Sequence, residues 1–257
     1  MPFIDIRNRR IEYARIEVAP AGRAALVFLH EGIGSIAMWR DFPNRLAHAT
    51  GCNAIVYSRY GYGNSEPARE PRDVRYMHDE ALVALPELLD RLRLDRPILV
   101  GHSDGASIAL IHAGGAGRPV TGVVAMAPHV LVEDISIASI AAAKLAYETT
   151  SLRGKLARHH ADVDSAFRGW NRIWLAPEFR RWNIEEYLPR IACPVLAIQG
   201  EDDEYGTMEQ LRRIGAQVAD AELVELADCR HSPHKDQPAA VIAAISRFVD
   251  RITGLHG

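Results

Sequence analysis

Cysteine is scarce in this chain. Cys52, Cys193 and Cys229 are the only three in 257 residues, and none stands in a C-x-x-C spacing. An odd, widely spaced set excludes a disulfide framework and points to reduced thiols, so a cytoplasmic location is expected. A surplus of one charge sign is also missing: 30 Lys and Arg against 33 Asp and Glu leave a net charge of −3. That balance argues against a dedicated nucleic-acid binder. No apolar run reaches the roughly 18 residues of a membrane-spanning helix, so no membrane partner is expected. The opening MPFIDIRNRR has no apolar stretch leading to a small-residue cleavage site, and no secretory signal is expected. Internal repeats, low-complexity tracts and long linkers are absent. What remains is ordinary for a globular protein, 48% hydrophobic and 25% charged, with enough chain to bury a substantial core unaided.

Apolar periodicity then orders the chain. Residues 10–19 (RIEYARIEVA) alternate as a half-buried strand does, and 24–29 (AALVFL) form a continuous apolar run typical of a strand covered on both faces. Further buried strands are expected at 54–57, 97–100, 120–127 and 194–198, and another at 221–226. Helical patterns fall at 36–49, at 74–94 with Pro86 kinking it, at 103–113 and at 238–252. Strands alternating with helices imply an α/β fold, a mostly parallel central sheet with helices on both faces. About sixty residues between Pro128 and Arg190 are helical in character with no strand. They hold His159, His160 and three tryptophans, Trp170, Trp174 and Trp182. The expected organisation is a core of residues 1–128 and 190–257 carrying a helical cap, 129–189.

The chemistry centres on 101-GHSDG-105, a G-x-S-x-G between the strand PILV and a helix. A nucleophilic serine needs such a strained strand-to-helix turn, with glycines letting neighbouring backbone pass. The helix N-terminus then turns its free N–H groups toward the developing anion. Ser103 is therefore the candidate nucleophile, and a serine hydroxyl requires a base. Of eleven histidines, His231 lies in the loop after the last strand, at the sheet edge where the Ser103 turn also falls. His234 is the nearest rival. His102 should point elsewhere on the sharp turn, His30 suits a structural hydrogen-bonding role, and His48, His78 and His256 are expected at the surface. A zinc site at His231 and His234 lacks a third ligand at sensible spacing, so no metal and no cofactor are expected. The base needs an acid, and the loop after 194-PVLAI-198 offers four consecutive carboxylates, Glu201 to Glu204. One would reach His231, and the other three would be solvated.

These features together resemble the α/β-hydrolase superfamily, from about residue 27 to 249. The family's His-Gly before the oxyanion loop and its Trp nine residues after that His correspond to His30 and Trp39, with Glu31 in place of the usual Gly. The loop 59-RYGYGNS-65 is similar to the family's next loop. The family's G-x-x-D acid falls on Asp203, with Asp202 the runner-up, and its His-to-Pro spacing fits His231 with Pro238 and not His234. The resemblance implies a Ser103–His231–Asp203 triad and an oxyanion hole from the backbone N–H groups of Gly32 and Asp104. The Asp104 side chain is expected to cap the following helix. A carboxylate at Glu31 would oppose an anion unless it faces away, pairs with an arginine such as Arg59, or contacts substrate.

A serine nucleophile disfavours the dehalogenase and epoxide hydrolase branches, which use Asp there. The expected activity is cleavage of a small or medium carboxylic ester, lactone or related acyl compound. A carbon–carbon bond hydrolase of ring-cleavage products, or a receptor-like ligand binder, is the alternative. A dinucleotide-binding fold is excluded because no G-x-G-x-x-G follows the first buried strand. The expected partner is a small-molecule substrate, with Glu31, Tyr147, Trp170 and Trp174 the candidates to touch it. The cap arginines Arg153, Arg158 and Arg168 could meet a carboxylate, though surface positions are their default. Part of the apolar run 135–146 needs cover beyond its own helix. A roofed pocket is the expected cover, and a homodimer contact is the rival account.

Overall fold

The computed structural model describes residues 1–18 and 24–254. Its eight-stranded sheet runs in the order β1-β2-β4-β3-β5-β6-β7-β8. The strands are β1 (Phe3–Ile6), β2 (Arg9–Ile16), β3 (Leu26–Leu29), β4 (Ala54–Tyr57), β5 (Ile98–His102), β6 (Gly122–Met126), β7 (Val195–Gly200) and β8 (Ala221–Leu226). β1, β2 and β4 pair antiparallel, and all pairings from β4 across to β8 are parallel. Residue 19, the end of the expected first strand, and His256 lie outside the described residues.

Period-two alternation divides the inner strands between two apolar layers. Val27, Leu29, Ile55, Leu99, Val123, Ala125 and Ala197 point to one face. Leu26, Phe28, Val56, Val100, Val124, Met126 and Ile198 point to the other. The second face is covered by α1 (Phe42–Thr50) and by the long C-terminal helix Pro238–Thr253, through Phe42, Leu46, Val241, Ile245 and Phe248. The first face is covered by α2 (Tyr76–Asp79), α3 (Leu85–Arg91) and α4 (Asp104–Gly115). Both faces of β3 to β7 are therefore dry, which is why these strands read as unbroken apolar runs.

Three elements differ from the sequence reading. β1 was not expected, because its residues are largely exposed. It pairs with β2 through a tight turn with Arg7 and Asn8 at φ 51° and 59°, the left-handed pair that favours hairpins. The single helix expected at 36–49 is instead a 3₁₀ turn, Ile36–Trp39, followed by α1, broken where Arg40 takes φ 54°. The helix expected at 74–94 has a π-turn at Glu80–Ala84 between α2 and α3. That wider turn lets Pro86 stand at the start of α3, where its missing N–H costs nothing.

Between β6 and β7 lie α5 (Asp134–Thr149), α6 (Leu152–Leu156) and α7 (Val163–Trp174), then the 3₁₀ turns Pro177–Arg181 and Glu185–Arg190. α7 buries Val163, Ala166, Phe167, Trp170, Ile173 and Trp174, a stripe at helical spacing, and Asp162 caps it by accepting from the Ser165 N–H. α5 behaves otherwise. Only Ser136, Ile140 and Tyr147 are buried, and Ile135 and Leu145 stay 37% and 61% exposed. Part of its apolar run is thus covered and part is exposed, as the sequence reading expects. α8 (Glu209–Gln217) precedes β8, and α9 (Pro233–Asp236) and α10 (Pro238–Thr253) follow it. Among the described residues no helix is long and apolar enough to cross a membrane.

Candidate active site

Ser103 sits between β5 and α4 with φ 53° and ψ −121°, a left-handed backbone strained for a non-glycine residue. The flanking glycines make that turn feasible. A Cβ on Gly105 would overlap the Leu29 backbone carbonyl, and one on Gly101 would overlap the Gly105 carbonyl. The Ser103 N–H donates to the Met126 carbonyl at 2.9 Å, tying the turn to β6.

The loops after β7 and β8 bring the other two groups to Ser103. The Ser103 Oγ lies 3.0 Å from His231 Nε2, and His231 Nδ1 lies 2.8 and 3.0 Å from the Asp203 carboxylate oxygens. This pattern assigns the proton to Nδ1 and leaves Nε2 free to accept from the serine hydroxyl. The two loops are held close, since Asp202 N–H donates to the Cys229 carbonyl and a Cβ on Gly200 would overlap that carbonyl. Asp203 is 6% exposed and also accepts from the Tyr205 N–H at 2.8 Å. Burial pushes its carboxyl pKa up, but the charge and hydrogen bond of His231 and the Tyr205 amide outweigh it, for a net lowering. Asp202 and Glu201 are exposed. Glu204 departs from the solvated role expected of it: its carboxylate accepts from the His231 N–H at 3.3 Å and pairs with Arg230 at 3.2 Å.

The remaining histidines fall into place around this chain. His102 Nε2–H donates to the His231 carbonyl at 2.7 Å, so the residue before the serine braces the base. His234 is buried against Trp39 and Phe42, with ring centroids 4.8 and 5.4 Å apart, and does not approach Ser103. His30 accepts from the Arg59 N–H at 3.0 Å and donates from Nδ1 to the Glu31 carbonyl at 2.7 Å. His78, expected at the surface, is buried against Tyr187 and Trp182. His160 accepts from the Gly63 N–H and donates to the Ile33 carbonyl, clamping the loop that carries Gly32.

A cavity of about 190 Å³ opens over Ser103, and Gly32, Asp104, Glu31, Trp170, Trp174 and His231 are among its lining residues. Neither the Gly32 nor the Asp104 backbone N–H has an acceptor among the described residues, and Asp104 occupies the first position of α4, where an N–H has no helical partner. Trp170 closes over Gly32 so tightly that any Cβ there would overlap the indole. Tyr147 does not line the cavity. Its ring stacks on Phe167 at 3.8 Å and its hydroxyl donates to Asp164 at 2.9 Å. Arg153 and Arg168 pair with that same Asp164, away from the cavity.

Two acidic side chains need correcting. Asp104 does not cap α4; it lies within the helix and is 1% exposed. Its Oδ2 accepts from the Tyr76 hydroxyl at 2.6 Å, with Arg59 at 4.0 Å, and burial raises its pKa. The Glu31 carboxylate does not reach Arg59, which instead donates to the His30 and Glu31 carbonyls. It faces Lys235 and His102, each at 3.6 Å. Burial opposes its charge, yet Lys235 and the histidines hold its pKa well below the usual range.

Sequence reasoning missed His129 and Tyr205. Both line the cavity, with ring centroids 5.8 and 4.6 Å from His231. His129 follows the carboxyl end of β6, the edge where such folds bind ligands, and that position was the available signal. Among the described residues no three His, Cys, Asp or Glu side chains gather as a metal site.

A mostly parallel sheet carries a serine on its strand-to-helix turn, hydrogen-bonded to a histidine that in turn bonds an aspartate, the last two coming from later loops; the G-x-S-x-G turn of hydrolase folds has this layout. The chain belongs to the alpha/beta hydrolase family, whose model matches residues 26–244. A protein bearing the name carbamate hydrolase RutD, from Caulobacter sp. (strain K31), is 27% identical over 263 residues, covering 92% of this chain and 95% of that one. The proline iminopeptidase of Lactobacillus delbrueckii subsp. lactis is 31% identical over 100 residues, but the match spans 39% of this chain and only 34% of that relative. Among solved structures, the enol-lactonase from Burkholderia xenovorans LB400 superposes with a TM-score of 0.75 at 17% identity, over 96% of this chain and 99% of that one. A carboxylesterase of the thaumarchaeon Nitrososphaera gargenis gives 0.80 at 19% identity, over 98% and 99%. At such identities the likeness is one of fold.

Proposed function

We propose that this protein is a serine hydrolase that cleaves a small or medium carboxylic ester, lactone or related acyl compound through an acyl-enzyme on Ser103. The observation that carries this reading is the continuous hydrogen-bonded chain from Ser103 Oγ through His231 to Asp203 at the floor of a cavity. His231 Nε2 takes the serine proton as Oγ attacks the acyl carbon. Asp203 keeps the proton on Nδ1 and stabilises the imidazolium that forms. The Gly32 and Asp104 N–H groups receive the oxyanion, and His231 then hands its proton to the leaving group. In the second half-reaction His231 activates water, and Ser103 departs with its proton restored.

Residues 129–189 act in this reading as the part that sets specificity. Trp170 and Trp174 line the cavity from α7, and His129, neutral at working pH, adds a polar edge. A volume of about 190 Å³ lies below the roughly 300–1,000 Å³ of drug-sized sites, which favours short acyl groups. Hydrolysis of p-nitrophenyl esters from acetate to decanoate tests both points. Turnover should be highest for acetate to butyrate, and Ser103→Ala should lose activity by orders of magnitude while remaining folded. Retained turnover in Ser103→Ala would overturn the mechanism. A preference for decanoate would overturn the account of the cavity.

A further inference from the structure

A second cavity, of about 310 Å³, opens behind the catalytic wall and shares no lining residue with the first. Arg59, Arg72 and Tyr62 line it, and just beneath that lining lie donor atoms of theirs with no hydrogen-bond partner among the described residues. Arg59 Nε, Arg72 Nη2 and Tyr62 Oη are all buried without a hydrogen-bond partner, and Arg59 and Tyr62 are each only 2% exposed. The guanidinium carbons of Arg59 and Arg72 lie 5.0 and 4.2 Å from the centroid of the same Tyr62 ring, so two cations converge there. Arg59 has Asp104 at 4.0 Å, whereas Arg72, Arg7 and Arg9, which also line the cavity, have no carboxylate within ion-pair distance among the described residues. Four acidic residues line the cavity beside the four arginines. Glu70, Asp73 and Asp79 are exposed, and Glu80 already accepts from the Tyr57 hydroxyl, with burial raising its pKa.

Unpaired buried donors of this kind cost free energy unless something accepts from them. An acceptor suited to two guanidinium groups would satisfy them, and guanidinium forks match carboxylate and phosphate oxygens. We propose that this cavity binds a small oxyanion, a carboxylate or phosphate, between Arg72, Arg59 and Tyr62. The site adjoins the catalytic one through Tyr76. That residue lines the second cavity, and its hydroxyl donates to Asp104 and accepts from Trp174 Nε1 at 3.0 Å. The ligand is distinct from the substrate attacked by Ser103, and its binding does not depend on that reaction.

Calorimetric titration of the full chain with succinate and, separately, with inorganic phosphate in low-salt buffer tests the site. At least one should saturate at one equivalent, and whichever binds more tightly identifies the headgroup. Arg72→Gln should weaken binding at least about tenfold. Tyr62→Phe, which deletes a single oxygen and keeps the ring, should weaken it several-fold. Met38→Ala, at a residue that lines the catalytic cavity but not this one, should bind as the wild type does. The proposal is overturned if neither anion saturates below about 10 mM, which would leave a merely hydrated cavity. It is also overturned if Tyr62→Phe and Arg72→Gln bind normally, or if Met38→Ala weakens binding as much as they do.

Discussion

Acidification from pH 7 to pH 5 should weaken the fold through its buried imidazoles, before most carboxylates titrate. His129 is 2% exposed, and its Nδ1 has no hydrogen-bond partner among the described residues. Burial first, and then the neighbouring charge of His231, lower its pKa from 6.5 to about 3, with Asp203 opposing and His102 adding slightly. In the unfolded chain this imidazole takes up a proton as the pH falls through about 6.5, while in the folded protein it stays neutral. The unfolded state therefore binds more protons between those two values. The stabilisation is fully present above about 6.5 and drains away as the pH falls toward about 3. At pH 5 the interval already crossed is about 1.5 units, worth about 2 kcal/mol. His30, His102 and His234 are shifted the same way, mainly by burial, and add to the slope. Urea unfolding at pH 7, 6 and 5 measures the effect in the wild type and in His129→Leu, which keeps bulk against Trp174 at 5.0 Å. The variant should lose about 2 kcal/mol less than the wild type between pH 7 and pH 5. An identical pH dependence in the two proteins would refute the reasoning, because His129 would then take up a proton while folded.

Asp203→Asn should cut kcat by about 10³–10⁴-fold, because an amide stabilises the wrong imidazole tautomer. Asp202→Asn, at an exposed position, should change kcat less than about twofold; ester kinetics separate the two. Gly105→Ala drives a methyl into the Leu29 carbonyl, and a backbone clash of this kind should cost about 3 kcal/mol or more. Thermal melting would show it as a large drop in Tm or as loss of soluble protein. Tyr76→Phe strips Asp104 Oδ2 and Trp174 Nε1 of their shared partner. It should cost about 1–3 kcal/mol in urea unfolding, and an unchanged midpoint would show that water replaces the hydroxyl.

Much of the fold is visible in the chain because the inner strands are covered on both faces. Runs such as LVFL, AIVY and VLAI have no polar face to disguise them. β1 escapes notice for the opposite reason, being largely exposed and held by a turn whose conformation, not its hydrophobicity, makes the hairpin. Ser103, Asp203 and His231 could be nominated from sequence because each follows a strand's carboxyl end, where a parallel sheet gathers its loops. The partners of Asp104 and Glu31 could not. Tyr76 is 28 residues from Asp104, and Lys235 meets Glu31 only once α9 packs over the oxyanion loop. Local propensity favours an N-terminal Asp as a helix cap; the buried Tyr76 hydroxyl outcompeted it here. Tyr147 was misplaced by a similar limit. Helical spacing marks it as inward-facing, yet the direction inward is toward Phe167 and not toward the serine.

The central claim is that Ser103, activated by His231, carries the acyl group. Peptide mass spectrometry after treatment with a fluorophosphonate measures this directly in the wild type, Ser103→Ala and His231→Ala. A single phosphonyl adduct on Ser103 is expected in the wild type, none in Ser103→Ala, and labelling slowed by orders of magnitude in His231→Ala. Labelling at another residue, or at Ser103 with equal speed when His231 is absent, would contradict the account.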